Sequence, residues 1–409
     1  MQRRIPTLVP RDGRERRVIQ TWRAGGLGDG SIAVYLSSVR RFRAHWRRHG
    51  VDELERLTHA EVVAYARSYV GPRRGRRVKD SSRHAARNAM HAWSCALQQL
   101  AVPVPPWRSA APLRRWPALV ATYAEHRRAH RGVAAGTLVR DLAVADTFLR
   151  LLKSKGRRLA AMRVADIDHF VDAMSSRLAR RTVARDCSSL RGFLKFLRLT
   201  GRIRRDLAAC VVAPRYRTDE HPPRALPWES VQKILRSIPR GQRVGRRDYA
   251  LFLLLATYGL GAGEVVRLRL EDIDWRAGVL RARRPKTGAS MELPLLPPVA
   301  RAVADYLRHG RPQNTTTREV FVTLGLPHHA LTSSALRHQA RKYATRAGVS
   351  VTPLGAHVFR HSHATRQVDA GVPLKIVGDI LGHRRPSSTS VYVRVALRRL
   401  RTVALPVPR

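Results

Sequence analysis

The sequence predicts a mainly α-helical, multi-domain protein in which two helical modules precede a mixed α/β domain with a small β-hairpin. Three observations lead to this prediction. The chain has 409 residues, more than one ordinary domain needs, and 44% of them are hydrophobic, enough to form several cores. Apolar residues recur at helical spacing through the first half of the chain. Proline-rich breaks at 102–113 and 213–227 separate the pieces.

The first half contains two segments with the same helical pattern. Their predicted helices lie at 31–50, 57–70 and 81–100, and at 137–156, 162–176 and 181–201. In both segments the first helix ends near a glycine, and a longer basic amphipathic helix comes last. We interpret the pair as a duplicated helical module. The expected boundaries are a basic N-terminal tail over 1–20, a first module over 21–107 and a second module over 116–213.

The remaining region, 227–409, changes pattern. Helices are predicted at 228–238, 246–260 and 297–310, the last with proline at its start and glycine at its end. Two strands, 279–285 and 291–295, flank a Lys-Thr-Gly turn. Because the last third is again mainly helical, this region is expected to be a mixed α/β domain with one hairpin.

Charge is the strongest global signal. Lysine and arginine total 78 against 29 acidic residues, which gives a net charge of +49 spread along the whole chain, and the isoelectric point is about 11.8. Such a surface favours nucleic acid as the partner, since phosphate contacts supply affinity. The alternative is a generic basic protein from a GC-rich genome, because only eight of the basic residues are lysine. That bias explains arginine over lysine but not the shortage of acids.

Several classes of protein are disfavoured. No apolar run approaches the roughly 18 residues that a membrane span needs, and the charged N-terminus lacks the apolar stretch of a secretory signal. A cytoplasmic, nucleoid-associated protein is therefore expected. Cys95, Cys187 and Cys210 lie far apart, so neither a disulfide framework nor a zinc site is indicated, and we expect small buried apolar side chains. No cofactor or metal is expected.

The C-terminal region holds a set of side chains suited to one reaction. His357 and Arg360 lie three residues apart on one face of a helix start. His383 lies nine residues before Tyr392, and Lys286 occupies the turn of the predicted hairpin. A tyrosine hydroxyl can attack a phosphodiester when cations and donors stabilise the charge of the transition state. No carboxylate cluster suited to magnesium accompanies them, which fits a metal-free mechanism.

Four segments carry a resemblance to a known family. They are YGLGAGEVVRLRLEDIDW (258–275), RPKTG (284–288), HVFRHSHAT (357–365) and LGHRRPSSTSVY (381–392). In order and spacing they resemble the conserved boxes of tyrosine recombinases, the phage integrase family. His383 follows Arg360 by 23 residues and precedes Tyr392 by nine, as in the family. The resemblance covers 227–409 as the catalytic domain.

The helical half extends the resemblance. The module at 116–213 is similar to the family's SAM-like core-binding domain, and 21–107 resembles an additional helical DNA-binding module. The resemblance implies a site-specific recombinase that cuts and rejoins double-stranded DNA through a 3′-phosphotyrosine intermediate, for the integration or transposition of a mobile element. It also implies self-association into a tetramer on two DNA sites, with or without companion recombinases.

The family assigns a role to each of these side chains. By resemblance, Tyr392 is the nucleophile and Arg360 binds the scissile phosphate. His357 acts as acid/base partner or phosphate donor, and His383 is a further phosphate donor. Lys286 is the general acid that protonates the leaving 5′ oxygen. The joint order and spacing of the five residues carries the assignment, since each residue alone has an ordinary structural explanation.

One position departs from the family. The first box should read Gly-Leu-Arg, with an arginine that is the first of two on the phosphate, but here the triplet ends in Gly261. Glu264 matches the acidic position that supports the site, so the register excludes Arg267 and Arg269 as substitutes. Losing one donor of this kind typically costs about 10²–10³ in rate. Three explanations remain open: a degenerate copy that binds DNA but hardly cleaves it, another arginine that reaches the vacant position, or a variant in one copy of a mobile element.

Two other functions compete with an active recombinase. Gly261 favours a catalytically impaired homologue that serves as a DNA-binding subunit in mixed complexes. A type IB topoisomerase shares the chemistry but explains the duplicated helical modules less well. The segment 395–408 after the nucleophile is expected either to dock onto a neighbouring subunit or to pack on its own domain.

Overall fold

The computed structural model describes residues 8–25, 27–51, 56–68, 80–104, 107, 116–215, 225–284, 288–313, 315–325, 328–350, 355–382, 389 and 392. The chain divides into two compact units. One comprises Met1–Ala110 together with Pro222–Arg409, and the other is Ala111–His221.

The described part of the N-terminal region forms four helices. They are α1 (Gly13–Ala24), α2 (Asp29–Arg47), α3 (His59–Ser68) and α4 (Asp80–Gln99). Helix α1 corrects the expectation of a basic tail over 1–20. Val18, Ile19 and Trp22 are buried in the core of this region, and Asp12 caps the helix by accepting a hydrogen bond from the Glu15 amide at 2.7 Å. Arginines between the apolar residues concealed the helical periodicity of this segment.

Charged side chains at the start of α1 form a balanced cluster. The fully buried Glu15 pairs with Arg40 at 2.6 Å, and Arg43 lies 2.8 Å from Asp12 and 3.6 Å from Glu15. Burial raises the pKa of Glu15, but the Arg40 hydrogen bond and the Arg11 amide outweigh it and leave the pKa below its usual value. Two carboxylates therefore face two guanidinium groups, an arrangement that ties α2 to the start of α1.

The second unit repeats the same succession of helices. They are α5 (Ala118–Arg131), α6 (Ala135–Ser154), α7 (Val164–Ser175) and α8 (Arg180–Leu199). Its core is rich in aromatic residues, with Tyr123, Phe148 and Phe193 fully buried. Just after the second helix of each set, Gly50 and Gly156 adopt positive φ angles of 77° and 61°, the left-handed conformation that glycine accepts most readily.

The region after 225 is the mixed α/β part. Its elements are α9 (Trp228–Arg236), α10 (Arg243–Tyr258), α11 (Ala262–Val265), β1 (Ile273–Asp274), β2 (Val279–Arg283), β3 (Ser290–Pro294), α12 (Pro297–His309), α13 (Ser333–Arg346), α14 (His357–Asp369) and α15 (Leu374–Leu381). The strands pair antiparallel in the order β1-β2-β3, and Leu280 faces both Ile273 and Leu293. Strand β1 was not predicted from the sequence, because two residues are too few to show an alternating pattern.

Helix α10 lies at the centre of this region. Leu251, Leu254 and Leu255 are buried, and the helix packs against α12 and α14. It ends at Gly259, whose φ is +61° and where an added Cβ would lie 2.6 Å from the His363 ring. The turn at this glycine brings α11 beside α14. A mainly helical protein with a small antiparallel sheet is what the sequence predicted, and the prediction is confirmed.

Of the helices in the described part of the chain, none combines the length and the apolar character that crossing a bilayer requires.

Candidate active site

Arg360 lies in the first turn of α14, where its guanidinium binds the ends of two other helices. Its Nη1 donates to the Gly259 carbonyl at 2.9 Å, and its Nη2 donates to the Leu381 carbonyl. These carbonyls follow α10 and close α15, where unpaired backbone oxygens carry partial negative charge. Only 14% of the Arg360 side chain is exposed. The arginine is therefore fixed in place by main-chain acceptors.

Glu264 joins Arg360 to the start of α11. Its Oε2 accepts a hydrogen bond from the Gly261 amide at 2.7 Å and lies 3.7 Å from Nη1 of Arg360. Gly261 itself has φ −73°, which any residue adopts. The heavy atoms nearest to an added Cβ there are those of the Glu264 carboxyl group, at 3.5 to 3.8 Å, an ordinary contact distance. The backbone at Gly261 would therefore accept a larger side chain, and the missing arginine is not a requirement of the fold.

Tyr392 is buried beside the same helix, with 2% of its surface exposed. Its hydroxyl shares a 3.0 Å hydrogen bond with Nδ1 of His361, and its ring packs against Val368, Val377 and Leu381. The tyrosine is thus held on the face of α14 that carries His361, one residue after Arg360.

Electrostatics links these groups. Burial raises the pKa of the Tyr392 hydroxyl above its usual value of 10.0, and the charge of Arg360 offsets only part of that rise. Burial also lowers the pKa of Arg360. The charges of Glu264 and Tyr392 act to raise the pKa of Arg360, and the charge of Arg284 lowers it further. The tyrosine is therefore protonated at neutral pH, and it must lose a proton as it attacks an electrophile.

The histidines of α14 fall into two groups. His357 begins the helix, and its ring centre lies 6.3 Å from that of His361 one turn later, so both occupy one face. His363 faces the core, where its Nδ1 hydrogen-bonds to the Ala256 carbonyl at 3.1 Å. Burial lowers the pKa of His363 and favours its neutral form. His357 therefore shares a helix face with His361, which contacts Tyr392, whereas His363 packs in the core.

Two predicted site residues, Lys286 and His383, lie outside the described residues, as does the segment 395–408. The structure describes their neighbours. The residues that flank Lys286 are paired, since the Arg284 amide donates to the Ala289 carbonyl at 2.8 Å. Helix α15 ends at Leu381, two residues before His383.

Sequence reasoning did not single out two residues that lie near Tyr392 and Arg360, namely His361 and Arg284. His361 was detectable, because it lies four residues after His357 and shares its helix face. Arg284 was not detectable, since nothing in an arginine-rich sequence distinguishes a buried arginine from an exposed one. In the described part of the chain, no group of three histidine, cysteine, aspartate or glutamate side chains could hold a metal ion.

Comparison with known proteins identifies the family of this fold and site. The model of the Phage integrase family matches residues 224–399, and that of the Phage integrase N-terminal SAM-like domain matches residues 120–201. The integrase/recombinase y4rF of Sinorhizobium fredii is 34% identical over 388 residues, which cover 92% of this chain and 87% of that protein. The chain belongs to the phage integrase family of tyrosine recombinases, and the resemblance predicted from the sequence is confirmed.

Other relatives and solved structures agree. The tyrosine recombinase XerD of Shewanella oneidensis is 32% identical over 257 residues, covering 62% of this chain and 84% of XerD. A crystal structure of the XerH recombinase bound to a palindromic difH substrate aligns with a TM-score of 0.55 and 16% identity, covering 85% of this chain and 97% of XerH. A lambda integrase dimer bound to a COC′ core site aligns with a TM-score of 0.52 and 16% identity, covering 71% and 98%. At these identities the solved structures establish the fold.

Proposed function

We propose that the protein is a site-specific recombinase that cuts and rejoins double-stranded DNA through a phosphotyrosine at Tyr392, in the movement of a mobile element. The observation that carries the proposal is the placement of the Tyr392 hydroxyl, 3.0 Å from His361 on the helix that also bears Arg360. A nucleophile, a proton acceptor and a fixed cation thus meet in a site with few acidic groups.

In the proposed cleavage step, the Tyr392 oxygen forms a bond to the scissile phosphorus and the bond from phosphorus to the 5′ oxygen breaks. The hydroxyl proton passes to His361, which already shares a hydrogen bond with it. Lys286 donates a proton to the leaving 5′ oxygen, as the resemblance implies. Rejoining reverses the step, because the 5′ hydroxyl of another strand attacks the phosphotyrosine and releases Tyr392. The tyrosyl ester conserves the energy of the broken bond, so the cycle needs no ATP.

The transition state carries extra negative charge on the phosphoryl oxygens. Arg360 offers a guanidinium held by the carbonyls of Gly259 and Leu381, so its donors need little reorganisation during the reaction. His357 and His383 complete the set of donors that we assign to the phosphate.

The helical modules 21–107 and 116–213 are proposed to hold DNA for the catalytic domain 227–409. Helix α8 buries Val183 and Leu190 while Lys195 remains exposed on another face. A groove of about 380 Å³ runs along that face, and its lining residues are His126, Arg127, Ser188, Arg191, Gly192, Lys195, Phe196 and Leu199. Basic groups beside a polar groove suit the phosphate backbone of a duplex. We further propose a tetramer on two DNA sites in the nucleoid, with or without companion recombinases.

The test uses nicked duplexes tiled across the DNA that flanks the gene, in which loss of a short 5′ fragment traps the cleaved state. The wild type is expected to form an adduct that resists detergent and maps to Tyr392 by mass spectrometry. Tyr392→Phe should bind the same duplex but form no adduct, because it lacks the oxygen that bonds to phosphorus. An adduct on another residue, or equal yields from the two proteins, would sink the assignment.

Gly261 favours a second candidate, a recombinase homologue that binds its site without cleaving it. Specific binding of the tiled duplexes by the wild type, with no adduct on any of them, would support this candidate. Relaxation of a supercoiled plasmid that lacks the bound site would instead support a type IB topoisomerase.

A further inference from the structure

Arg284 is a buried arginine that has no role in the proposed cleavage step. It directly follows β2, whose side chains alternate between the two faces of the sheet. Arg283 points outward and lies 3.4 Å from Asp272, with 67% of its side chain exposed. Arg284 points inward and is only 8% exposed. Adjacent arginines thus occupy opposite environments, and the buried one requires an explanation.

The guanidinium of Arg284 binds the same helix end that holds Arg360. Its Nη2 donates to the Ile380 carbonyl at 2.9 Å and lies 3.2 Å from the Asp379 carbonyl. The next carbonyl, that of Leu381, accepts from Arg360. Consecutive carbonyls at the end of α15 therefore bind two guanidinium groups, and the charge of Arg284 contributes to lowering the pKa of Arg360.

Gly382 follows α15 with a φ angle of +68°, the left-handed conformation that glycine accepts most readily, and the guanidinium of Arg284 lies against it. The inward-facing arginine that follows β2 therefore reaches the end of α15, where Arg360 is also bound.

The charges around this pair do not balance. Glu264 is the carboxylate near Arg360, at 3.7 Å, and among the described residues no carboxylate lies within ion-pair distance of Arg284. Within the same described set, Nε and Nη1 of Arg284 donate to no acceptor. Two buried guanidinium groups with one carboxylate leave an excess positive charge, which an anion would offset.

We propose that Arg284 is a second phosphate-binding residue, and that Arg284 and Arg360 together hold the scissile phosphate in the absence of an arginine at position 261. The inference rests on the proposed function, since the anion is the phosphodiester that Tyr392 attacks. It removes the apparent defect at Gly261, because the guanidinium enters from β2 instead of from α11.

Position 261 offers a way to test whether Arg284 takes the place of the missing arginine. The backbone there is compatible with any residue, and the heavy atoms nearest to an added Cβ are those of the Glu264 carboxyl group. An arginine introduced at position 261 would therefore start beside Glu264 and Arg360. If adduct formation requires a second guanidinium beside Arg360, Gly261→Arg should restore the adduct rate that Arg284→Ala loses.

The experiment measures the rate of adduct formation on the nicked duplex, with binding of an uncleavable duplex and thermal unfolding measured in parallel. Arg284→Ala is expected to lower the adduct rate about 10²-fold or more, with DNA affinity lowered only several-fold, as for one lost phosphate contact. Arg284→Lys should recover only part of the loss, since lysine keeps the charge but not the planar fork. The matched control is Arg283→Ala, next in sequence and outward-facing, which should cleave like the wild type.

The double variant Gly261→Arg, Arg284→Ala separates a catalytic role from a structural one. We expect it to recover at least tenfold of the lost adduct rate without recovering the unfolding temperature of the wild type. Gly261→Arg alone should change the rate less than tenfold, because the position is already served. Absence of rescue, or a rate loss that merely follows the unfolding temperature, would assign Arg284 to the fold and overturn the proposal.

The failure of this inference differs from a failure of the proposed function. If Gly261→Arg forms the adduct and the wild type does not, the chemistry of Tyr392 stands and the role of Arg284 is overturned. If neither protein forms more adduct than Tyr392→Phe, the proposed function fails, and the role of Arg284 fails with it.

Discussion

Two clusters of charged side chains in this molecule are built on opposite principles. At the start of α1, Glu15 pairs with Arg40 and Asp12 pairs with Arg43, so each carboxylate has a guanidinium partner. In the candidate active site, Glu264 lies near Arg360, no carboxylate of the described residues pairs with Arg284, and both guanidinium groups bind main-chain carbonyls. A balanced cluster is complete within the fold, whereas an excess of positive charge can be offset by an anion. Charge balance is therefore the criterion by which we propose to tell structural from functional arginines in a chain where arginine is abundant.

The largest expected effect tests the balanced cluster. Glu15→Gln leaves Arg40 without its carboxylate, and the free energy of unfolding should fall by about 3 kcal/mol, the lower end of the range for breaking a buried pair. Because this cluster serves only the fold, the adduct rate per folded molecule should stay the same. Chemical denaturation and the nicked-duplex assay measure the two quantities.

The pH dependence of this variant sharpens the comparison. The pKa of Glu15 in the folded state lies below its ordinary value of 4.5, so the folded protein binds this proton less tightly than the unfolded chain does. The stabilisation is therefore complete above pH 4.5 and is lost as the pH falls through the folded-state pKa. The difference between wild type and Glu15→Gln should shrink below that pH, and a constant difference would contradict the pairing.

A second, smaller effect is expected in the unbalanced cluster. Glu264→Ala removes the acceptor for the Gly261 amide and the carboxylate beside Arg360, and we expect the adduct rate to fall about tenfold as Arg360 loses its fixed position. The loss of the helix cap should lower stability by only about 1 kcal/mol. Glu264→Gln keeps the hydrogen-bond acceptor and serves as the matched control, with most of the rate retained. A drop in stability larger than the drop in rate would place Glu264 with the structural charges.

The smallest effect concerns an exposed charge that belongs to neither cluster. Lys195→Ala on α8 should weaken DNA binding several-fold and reduce the slope of log affinity against log salt by about 1, the signature of one lost phosphate contact. Glu125, exposed on α5, offers a control as Glu125→Gln, which should leave the slope unchanged. An unchanged slope for Lys195→Ala would remove the groove along α8 from the DNA interface.

Local patterns made much of the fold predictable. Helices α9, α10 and α12 begin and end within a few residues of the predicted bounds, because their periodicity and their proline and glycine signals lie within one segment. The position of Arg360 at a helix start was predictable for the same reason. Helix α1 and the inward direction of Arg284 were not, since each depends on what a distant part of the chain places opposite it. The roles of Lys286 and His383 stay predictions.

The reliance of the site on backbone oxygens has an evolutionary consequence. The acceptors for Arg360 and Arg284 are the carbonyls of Gly259, Ile380 and Leu381, and a substitution at Ile380 or Leu381 leaves the carbonyl in place because every residue type carries one. Drift can therefore remove a cationic side chain without removing the backbone carbonyls that orient it. A lineage that loses an arginine from one strand or helix can regain the same charge from another, and its descendants would look defective in an alignment while remaining competent in solution.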